Sequence, residues 1–307
     1  MRSLLRAKVA AFLSRLGVQN YHSIARIILL AANLAACSKK LPSPNAIPTA
    51  EEQAIVGGRE ADGAEAFLRS VVAIGDETTE WCTGSIYSDS IVITAAHCVD
   101  PEREHPDAKD MRIYFGDDVR DLAKATSRKV LAFKILDGWS KGSFQCGSDL
   151  AVVIFEGGLP QGYEPIELLA DKAAVKSGAK VAAAGYGLSS YDFDNSYGLL
   201  RYYTAEFKPS FRWTIAAVMS FAQDEPAGSI YVTERLDGKS FYKGDSGGPH
   251  FIRHEGRWKQ YALSSGAVPP VGSSDAENGF FVMTDLVDRR AFIEESAKQL
   301  LEEITKP

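Results

Sequence analysis

Short apolar runs rich in β-branched and aromatic residues recur from Ile55 to about Thr284, and clusters of Gly, Asp, Ser and Pro separate them. Runs of this length between turn-forming residues are typical of β-strands. The pattern therefore predicts a chain built mainly of short strands. Eight examples are Leu68–Ile74, Ser85–Thr94, Met111–Phe115, Leu150–Phe155, Lys180–Tyr186, Ser229–Thr233, Trp258–Leu263 and Phe280–Thr284.

The C-terminal segment has a different period. Its apolar residues recur at spacings of three and four after Asp285, a residue type that caps helix N-termini, so we predict a helix over about 286–305. Many strands followed by one terminal helix indicate an all-β barrel or sandwich. The apolar positions of this helix are Leu286, Phe292, Ile293, Ala297, Leu300 and Leu301.

The N-terminal segment has the pattern of an export signal. Residues 2–26 contain five Arg or Lys and no acid, and a mostly apolar run, Ile27–Ala36, follows them. A run of about ten residues is too short to span a bilayer, which takes about 20. It suits the hydrophobic region of a secretory signal. We therefore predict a signal peptide over residues 1–36 and export of the chain.

This signal ends in L-A-A-C, with the cysteine at Cys37, which resembles the bacterial lipobox. The resemblance implies cleavage before Cys37, a lipid on its thiol and a location in the bacterial periplasm or outer membrane. The alternative is a plain signal peptide whose cleavage site contains a cysteine by chance. The prolines between Pro42 and Pro48 predict an extended spacer over residues 37–54.

Composition narrows the function classes. The chain has 307 residues, of which 45% are hydrophobic and 24% charged, as in soluble globular proteins. Residues 1–54 hold seven of the 34 basic residues and two of the 40 acids, leaving 27 basic against 38 acidic residues afterwards. This acidic body argues against nucleic acid as a partner. The four cysteines have neither zinc-site spacing nor a nearby His pair, so we expect no metal and no cofactor.

The strongest chemical signal is the run G-D-S-G-G-P at Gly244–Pro249. A serine hydroxyl at a tight bend flanked by glycines can be exposed at the floor of a cleft. Glycine at 244 lets its own N–H and that of Ser246 point at one spot, where an oxyanion would be stabilised. The alternative interpretation is a Gly-rich turn between two strands.

A nucleophilic serine needs a base, and the base needs a carboxylate that orients it. His97 follows the apolar run Ile91–Ile93, and Asp149 precedes a strand. Alone, such a histidine is more often a structural residue, and such an aspartate is usually a turn residue. The order His97, Asp149, Ser246 beside the serine motif indicates that the three act together.

Six segments share their order and near spacings with one known family. They are Ile55–Gly58, Thr94–Cys98, Asp149–Val153, Gly185–Gly187, Gly244–Pro249 and Ser264–Gly266. In these segments the chain resembles the trypsin/chymotrypsin family of serine proteases over essentially all of residues 55–307. The resemblance implies an all-β fold with two perpendicular six-stranded antiparallel β-barrels, over about 55–160 and 161–285, and a C-terminal α-helix.

The same resemblance implies a role for each site residue. His97 would be the general base, Asp149 its orienting carboxylate and Ser246 the nucleophile, with the amides of Gly244 and Ser246 as the oxyanion hole. The reaction would be hydrolysis of peptide bonds through an acyl-enzyme. The partners would be protein or peptide substrates, and we expect a monomer.

The resemblance also implies activation by proteolysis. In this family an amine freed before the I-V-G-G segment pairs with the aspartate that precedes the serine, so a zymogen cut between Ala54 and Ile55 would pair Ile55 with Asp245. The residues before the cut include no Lys or Arg. The activating protease must therefore accept a small residue, unless the enzyme cuts itself. A lipid on Cys37 would tether the protein to the membrane only before this cut.

Two cysteines match a family disulfide beside the catalytic histidine, so the resemblance implies a Cys82–Cys98 bridge, with two free thiols as the alternative. Other family bridges are missing, since Tyr242 stands where a pocket-wall cysteine would be. Cys146 is left over. It is either a buried thiol that acts as a small hydrophobe or an exposed thiol near the substrate.

The family's specificity pocket corresponds to Ser240 at its floor, Ser264 in its wall and Gly266 at its mouth. Serine rather than aspartate at the floor favours an apolar or aromatic substrate side chain over a basic one. Two alternatives stay open. Phe241, next to the floor, can narrow the pocket, and Asp275 or Glu277 in the poorly aligned loop Pro269–Gly279 can restore a basic preference.

These observations favour a secreted serine endopeptidase. One alternative is a catalytically silent binding protein on the same fold, although such proteins usually lack the histidine or the serine, and both are present here. Another is an envelope protease-chaperone. That class carries a C-terminal peptide-binding domain, for which the sequence leaves no residues.

Overall fold

A computed structural model describes residues 55–56, 58–63, 65–103, 110–139, 146–189, 197–209, 230–268 and 280–306. The chain divides into two compact units, residues 1–48 and 49–307, and all described residues belong to the second. The predicted signal peptide and spacer, with Cys37, lie outside the described residues. Among the helices that are described, none combines the length and the apolar composition needed to cross a membrane.

The described residues form thirteen β-strands and one α-helix. In chain order they are β1 (Arg59–Glu60), β2 (Val71–Gly75), β3 (Glu80–Ser88), β4 (Ile91–Thr94), β5 (Arg112–Phe115), β6 (Thr126–Ile135), β7 (Ala151–Phe155), β8 (Lys180–Gly185), β9 (Arg201–Glu206), β10 (Ile230–Thr233), β11 (Pro249–His254), β12 (Arg257–Val268), β13 (Phe280–Asp285) and α1 (Arg290–Thr305).

Six of these strands close into a barrel in the order β2-β3-β4-β7-β6-β5. All six pairings are antiparallel. Strands β4 and β7 are buried along their whole length, which explains why their sequences are continuous apolar runs rather than alternating ones. The barrel holds His97 at the end of β4 and Asp149 just before β7.

The other seven strands form a sheet in the order β1-β9-β8-β11-β12-β13-β10. The predicted all-β, chymotrypsin-like class is confirmed. The resemblance implied a second six-stranded barrel. The described residues instead form a seven-stranded sheet, in which no pairing joins the end strands β1 and β10. The loop that carries Ser246 leads directly into β11.

Two element boundaries differ from those predicted. Strand β1, which the prediction assigned to the first barrel, pairs with β9 at the edge of the second sheet. The helix begins at Arg290 rather than near residue 286, and its N-cap is Arg289. Asp285 is not the cap, because its carboxylate accepts the Val287 amide in a turn that precedes the helix.

Helix α1 packs on the first barrel. Its buried residues Ile293, Ala297 and Leu300 recur at spacings of four and three, so they form one face of the helix. This face belongs to the same apolar cluster as β4 and β7. The last residues of the chain thereby cover the barrel that carries His97.

The predicted disulfide is present. Cys82 in β3 is bonded to Cys98 across 16 residues of sequence. Cys98 ends the short 3-10 turn that carries His97. The bridge therefore ties this turn to a central strand of the barrel.

Loss of this bridge should destabilise the fold. A disulfide that closes a loop of about 15 residues stabilises by about 3 kcal/mol in the chain-entropy account. We expect the double variant Cys82→Ser/Cys98→Ser to lower the free energy of unfolding by that amount, measured by urea denaturation. The Cys146→Ser variant, which keeps the bridge, is the control. A double variant within about 1 kcal/mol of the parent would contradict this expectation.

Candidate active site

His97 lies in the 3-10 turn Ala96–Cys98, which follows β4 after one extended residue, Ala95. Its side chain is 17% exposed, whereas that of Asp149 is 2% exposed. The two residues are 52 positions apart in sequence. The antiparallel pairing of β4 with β7, which matches Thr94 to Ala151, brings them together.

The buried Asp149 carboxylate accepts three hydrogen bonds. Its Oδ1 accepts the His97 backbone amide at 3.0 Å, and its Oδ2 bonds to His97 Nδ1 at 2.8 Å. Oδ2 also accepts the hydroxyl of Ser265 at 2.6 Å. These donors replace the water that burial removes. With Nδ1 held by the carboxylate, Nε2 is the ring nitrogen of His97 that can act as a base.

Ser265 was missed by the sequence analysis, which assigned its neighbours Ser264 and Gly266 to the pocket. The Ser264 hydroxyl bonds instead to Nε2 of the buried His250 at 2.9 Å. The pairing of β12 with β13 shifts register between Ser264 and Gly266, and this irregularity determines which serine faces Asp149. Two consecutive serines were the only signal in the sequence, and they do not distinguish the two positions.

The loop that carries Ser246 is held at every carbonyl from residue 243 to residue 246. A peptide whose carbonyl is bonded cannot rotate freely, and its N–H points the opposite way. The donors to these four carbonyls are, in order, the Leu188 amide (2.8 Å), the Thr83 hydroxyl (2.9 Å), the Gly248 amide (2.9 Å) and the Thr83 amide (2.8 Å).

The amides of this loop alternate between bonded and unbonded. Asp245 donates to the Tyr242 carbonyl at 3.0 Å, and Gly247 donates to the Ser264 carbonyl at 2.8 Å. Within the part of the chain that the structure describes, neither the Gly244 nor the Ser246 amide has a hydrogen-bond acceptor. Two held N–H groups two residues apart can stabilise a developing oxyanion.

Glycine is required at two positions of this loop. Gly244 has φ +91°, and a Cβ there would lie 2.6 Å from Cε1 of Tyr197 and 2.7 Å from Cα of Gly187. Gly247 has φ +78°, and its Cβ would lie 2.0 Å from the Thr94 hydroxyl. Both contacts are too short for any side chain. The G-x-x-G spacing of the motif therefore reflects two close backbone approaches.

The backbone of Ser246 lies close to the turn that carries His97. The Ser246 carbonyl oxygen is 3.6 Å from Sγ of Cys98, the residue after His97. The described side chains of His97 and Ser246 do not form a hydrogen bond with each other. In free enzymes such contacts are often long and tighten when substrate binds.

Asp245 is completely buried. Its carboxylate accepts the amides of Gly187 and Tyr242, both at 2.8 Å. Burial raises the pKa of Asp245 to about 7, against the lowering effect of these two bonds and of Arg201. A cation beside this carboxylate would therefore be strongly stabilised.

Ile55 is 1% exposed and belongs to the apolar cluster of the second sheet. The next residue, Val56, accepts the Ser240 amide at 3.1 Å. Ile55 has φ +35°, which is unfavourable for a β-branched side chain. The start of the predicted mature chain is thus seated against the segment that leads to the serine loop.

The predicted pocket residues are only partly described. Ser240 is buried, and the neighbouring Phe241 packs into the second core against His250 and Phe281, at ring-centroid distances of 5.3 and 5.4 Å. Among the described residues, nothing lies within 4 Å of a Cβ built on Gly266. The acids that were candidates for restoring a basic preference, Asp275 and Glu277, lie outside the described residues.

One cluster of metal-type ligands occurs in the described ranges, formed by Cys82, His97 and Cys98. The disulfide joins the two sulfurs, so neither cysteine offers a thiolate. Of the two other cysteines, Cys37 and the side chain of Cys146 lie outside the described residues.

Comparison with known proteins identifies a family. A family model described as Trypsin matches residues 55–285. Trypsin delta and Trypsin gamma of Drosophila melanogaster are each 26% identical to the chain over 170 residues. These matches cover 55% of this chain and 62% of each relative, so the chain spans about three fifths of their length.

A solved structure agrees with the fold. The chain is similar to neuropsin, a serine protease expressed in the limbic system of mouse brain, with a TM-score of 0.61 and 18% identity. The match covers 79% of this chain and 99% of neuropsin. At this identity the likeness shows the fold alone.

The buried histidine behind Ser264 should make stability pH-dependent. Burial lowers the pKa of His250 to about 3 from its ordinary 6.5. Below pH 6.5, His250 binds a proton in the unfolded chain but stays neutral in the folded chain. The free energy of unfolding should therefore fall as the pH falls from 6.5 towards 3, by up to about 1.4 kcal/mol per pH unit.

Urea unfolding between pH 4 and pH 7 tests this expectation against the His250→Gln variant, which should show a shallower dependence on pH. The raised pKa of Asp245 acts in the opposite sense, because stability falls as the pH rises from 3.8 towards 7. Asp245 is present in both proteins, so its contribution cancels in the difference. Equal slopes for parent and variant would contradict a buried neutral histidine.

Proposed function

The chain belongs to the trypsin family, and we propose that it is a serine endopeptidase that hydrolyses peptide bonds through an acyl-enzyme. The observation that carries the proposal is the bonded pair His97–Asp149 beside a loop whose Gly244 and Ser246 amides have no acceptor among the described residues. A base with a fixed tautomer and an anion-stabilising site are the two parts that acyl transfer to serine needs.

In the proposed reaction, Oγ of Ser246 attacks the carbonyl carbon of the scissile bond while Nε2 of His97 takes its proton. The oxyanion accepts hydrogen bonds from the Gly244 and Ser246 amides, and Asp149 stabilises the imidazolium. His97 then gives the proton to the leaving amine as the C–N bond breaks, which leaves an ester on Ser246. A water molecule deprotonated by His97 hydrolyses this ester and restores the enzyme.

We further propose that the chain is made as a zymogen cut between Ala54 and Ile55. A new amine at Ile55 would supply a cation to pair with the buried carboxylate of Asp245, whose pKa burial raises to about 7. The unfavourable φ of Ile55 also supports cleavage of the Ala54–Ile55 bond. An N-terminal residue has no preceding carbonyl, so the strain at φ would disappear once this bond is cut. Pairing with the amine would hold Asp245 charged and brace the serine loop.

Export and anchoring complete the proposal. The signal pattern of residues 1–36 would direct the chain out of the cytoplasm, to the bacterial periplasm or outer membrane if Cys37 receives a lipid. The spacer 37–54 would join the lipid to the protease domain. Cutting after Ala54 would release that domain, since the spacer contains no second cysteine to retain it.

We propose a preference for apolar or aromatic side chains at the residue before the cut. Ser240 at the pocket floor carries no charge that could bind Lys or Arg. Among the described residues, none approaches the position of a Cβ on Gly266, which supports an unobstructed pocket mouth. Phe241 packs into the core of the second sheet against His250 and Phe281.

Fluorophosphonate labelling tests the nucleophile and the zymogen together. We expect the probe to modify Ser246 in protein that begins at Ile55, with at least tenfold slower labelling of protein that retains residues 38–54. Peptide mapping by mass spectrometry identifies the modified residue, and Ser246→Ala is the control that must not label. No labelling of either form would favour a silent binding protein, and equal labelling would contradict zymogen control.

Substrate profiling tests the pocket. A peptide library should show cleavage after Phe, Tyr, Leu or Met in preference to Lys or Arg. The variant Ser240→Asp should raise kcat/KM for substrates with Lys or Arg before the cut by at least tenfold, because a buried carboxylate pairs with their charge. Cleavage after Lys or Arg by the parent would contradict Ser240 as the determinant and point to an acid in the loop Pro269–Gly279.

A further inference from the structure

Thr83, in the middle of β3, has 0% exposure and connects the first barrel to the serine loop. It follows Cys82 of the disulfide, and no motif in the sequence singles it out. It makes four hydrogen bonds. The Thr83 amide donates to the Ser246 carbonyl (2.8 Å), its hydroxyl donates to the Gly244 carbonyl (2.9 Å) and accepts from the Tyr186 amide (3.1 Å), and its carbonyl accepts the Thr94 hydroxyl (2.9 Å).

The hydroxyl of Thr83 holds one particular peptide. The hydroxyl donates a hydrogen bond to the carbonyl of Gly244. The N–H at the other end of that peptide, which belongs to Asp245, donates to the Tyr242 carbonyl at 3.0 Å. The peptide between Gly244 and Asp245 is thereby held at both ends. The preceding peptide is held at its carbonyl by Leu188. The amide of Gly244 thus sits between two restrained groups.

We propose that Thr83 is a positioning residue for the oxyanion hole, because its hydroxyl fixes the peptide between Gly244 and Asp245 and so limits rotation about the backbone torsions of Gly244, on whose other side the Gly244 N–H lies. The inference rests on the proposed protease function. Glycine has the widest backbone freedom of any residue, so an unrestrained Gly244 could rotate its N–H away from the oxyanion. The hydrogen bond from Thr83, a residue outside the loop, restricts this rotation.

This restraint is separate from the one that activation would supply. Asp245 and Ile55 act from the second sheet, whereas Thr83 acts from the first barrel. The Thr83 hydroxyl accepts a hydrogen bond from the Tyr186 amide. The amide of the next residue, Gly187, donates to the Asp245 carboxylate. The two restraints therefore meet at adjacent residues, Tyr186 and Gly187, and hold the loop from two sides.

Both parts of the threonine side chain have a partner. The methyl group, Cγ2, would lie 3.2 Å from a Cβ built on Gly248, so it fills the space that this glycine leaves. Valine would keep this shape but lose the hydroxyl, leaving the Gly244 carbonyl and the Tyr186 amide without their partner. Serine would keep the hydroxyl and lose only the methyl group. The two variants separate the hydrogen bond from the packing.

The experiment compares Thr83→Val and Thr83→Ser with the parent, each purified as the full-length chain and processed identically. Ser85→Ala is the matched control. Ser85 is also a completely buried hydroxyl residue of β3, two positions along, and its hydroxyl donates to the Ile93 carbonyl at 3.5 Å, away from the serine loop. Steady-state kinetics on the best library peptide give kcat and KM, and thermal unfolding reports the stability of each variant.

We expect Thr83→Val to lower kcat by at least tenfold with KM within about twofold, since removal of a whole oxyanion donor costs about 10² to 10³ and this change displaces one. Inhibition by a peptide aldehyde should weaken by a similar factor, because its hemiacetal oxygen occupies the oxyanion hole. Thr83→Ser should stay within about threefold of the parent in both readouts. Ser85→Ala should match the parent.

Two results would overturn the proposal: a Thr83→Val enzyme with parental kcat and aldehyde affinity, or an equal loss of kcat in Thr83→Ser and Thr83→Val. The second result would assign the effect to packing. If Thr83→Val does not fold, Thr83→Ala takes its place: it differs from Thr83→Ser only by the hydroxyl, so equal kcat and aldehyde affinity in these two variants would overturn the proposal. A parent that neither labels with fluorophosphonate nor turns over peptide would instead overturn the proposed function, and the role of Thr83 with it.

Discussion

Two buried carboxylates at the site, Asp149 and Asp245, constrain how the segments around it can be assembled. A carboxylate can leave water only where other donors replace it, because an unsatisfied buried charge costs several kcal/mol. Asp149 finds its donors in the His97 turn and at Ser265 of β12, and Asp245 finds them at Gly187 and Tyr242. These donors lie far apart in sequence. Satisfying the two carboxylates therefore brings together the segments that make up the site.

The serine loop likewise depends on hydrogen bonds between the first barrel and the second sheet. The second sheet supplies the loop, but the first barrel supplies the Thr83 amide and hydroxyl that hold two of its carbonyls. The disulfide brings Cys98 to 3.6 Å from the Ser246 carbonyl. Thr94 of the barrel leaves no room for a side chain at Gly247, and Tyr197 and Gly187 leave none at Gly244. The Gly244 and Ser246 amides, which have no acceptor among the described residues, thus lie in a loop whose carbonyls from residue 243 to residue 246 are all bonded.

Much of the fold was readable from the apolar runs, and the exceptions have physical causes. The runs located β5, β7, β8, β10 and β13 closely. The single run predicted over Ser85–Thr94 is two strands, β3 and β4, because a turn at Asp89–Ser90 reverses the chain. Strand β6 was not predicted, since its sequence begins T-S-R-K and its side chains are largely half-buried or exposed. Such a strand is defined by its partners β5 and β7 rather than by an apolar pattern.

For the site, residue identity and chain order suggested His97, Asp149 and Ser246, and the family resemblance implied the disulfide pair. The structure brings His97 and Asp149 into contact and forms the disulfide. The arrangement of supporting hydrogen bonds was not predicted. Whether Ser264 or Ser265 reaches Asp149 depends on a register shift between β12 and β13, and the role of Thr83 depends on which loop crosses its strand. Both are set by pairing between segments distant in sequence. A side chain's bonding partner is a property of the assembled sheets, whereas its capacity to donate or accept belongs to the residue itself.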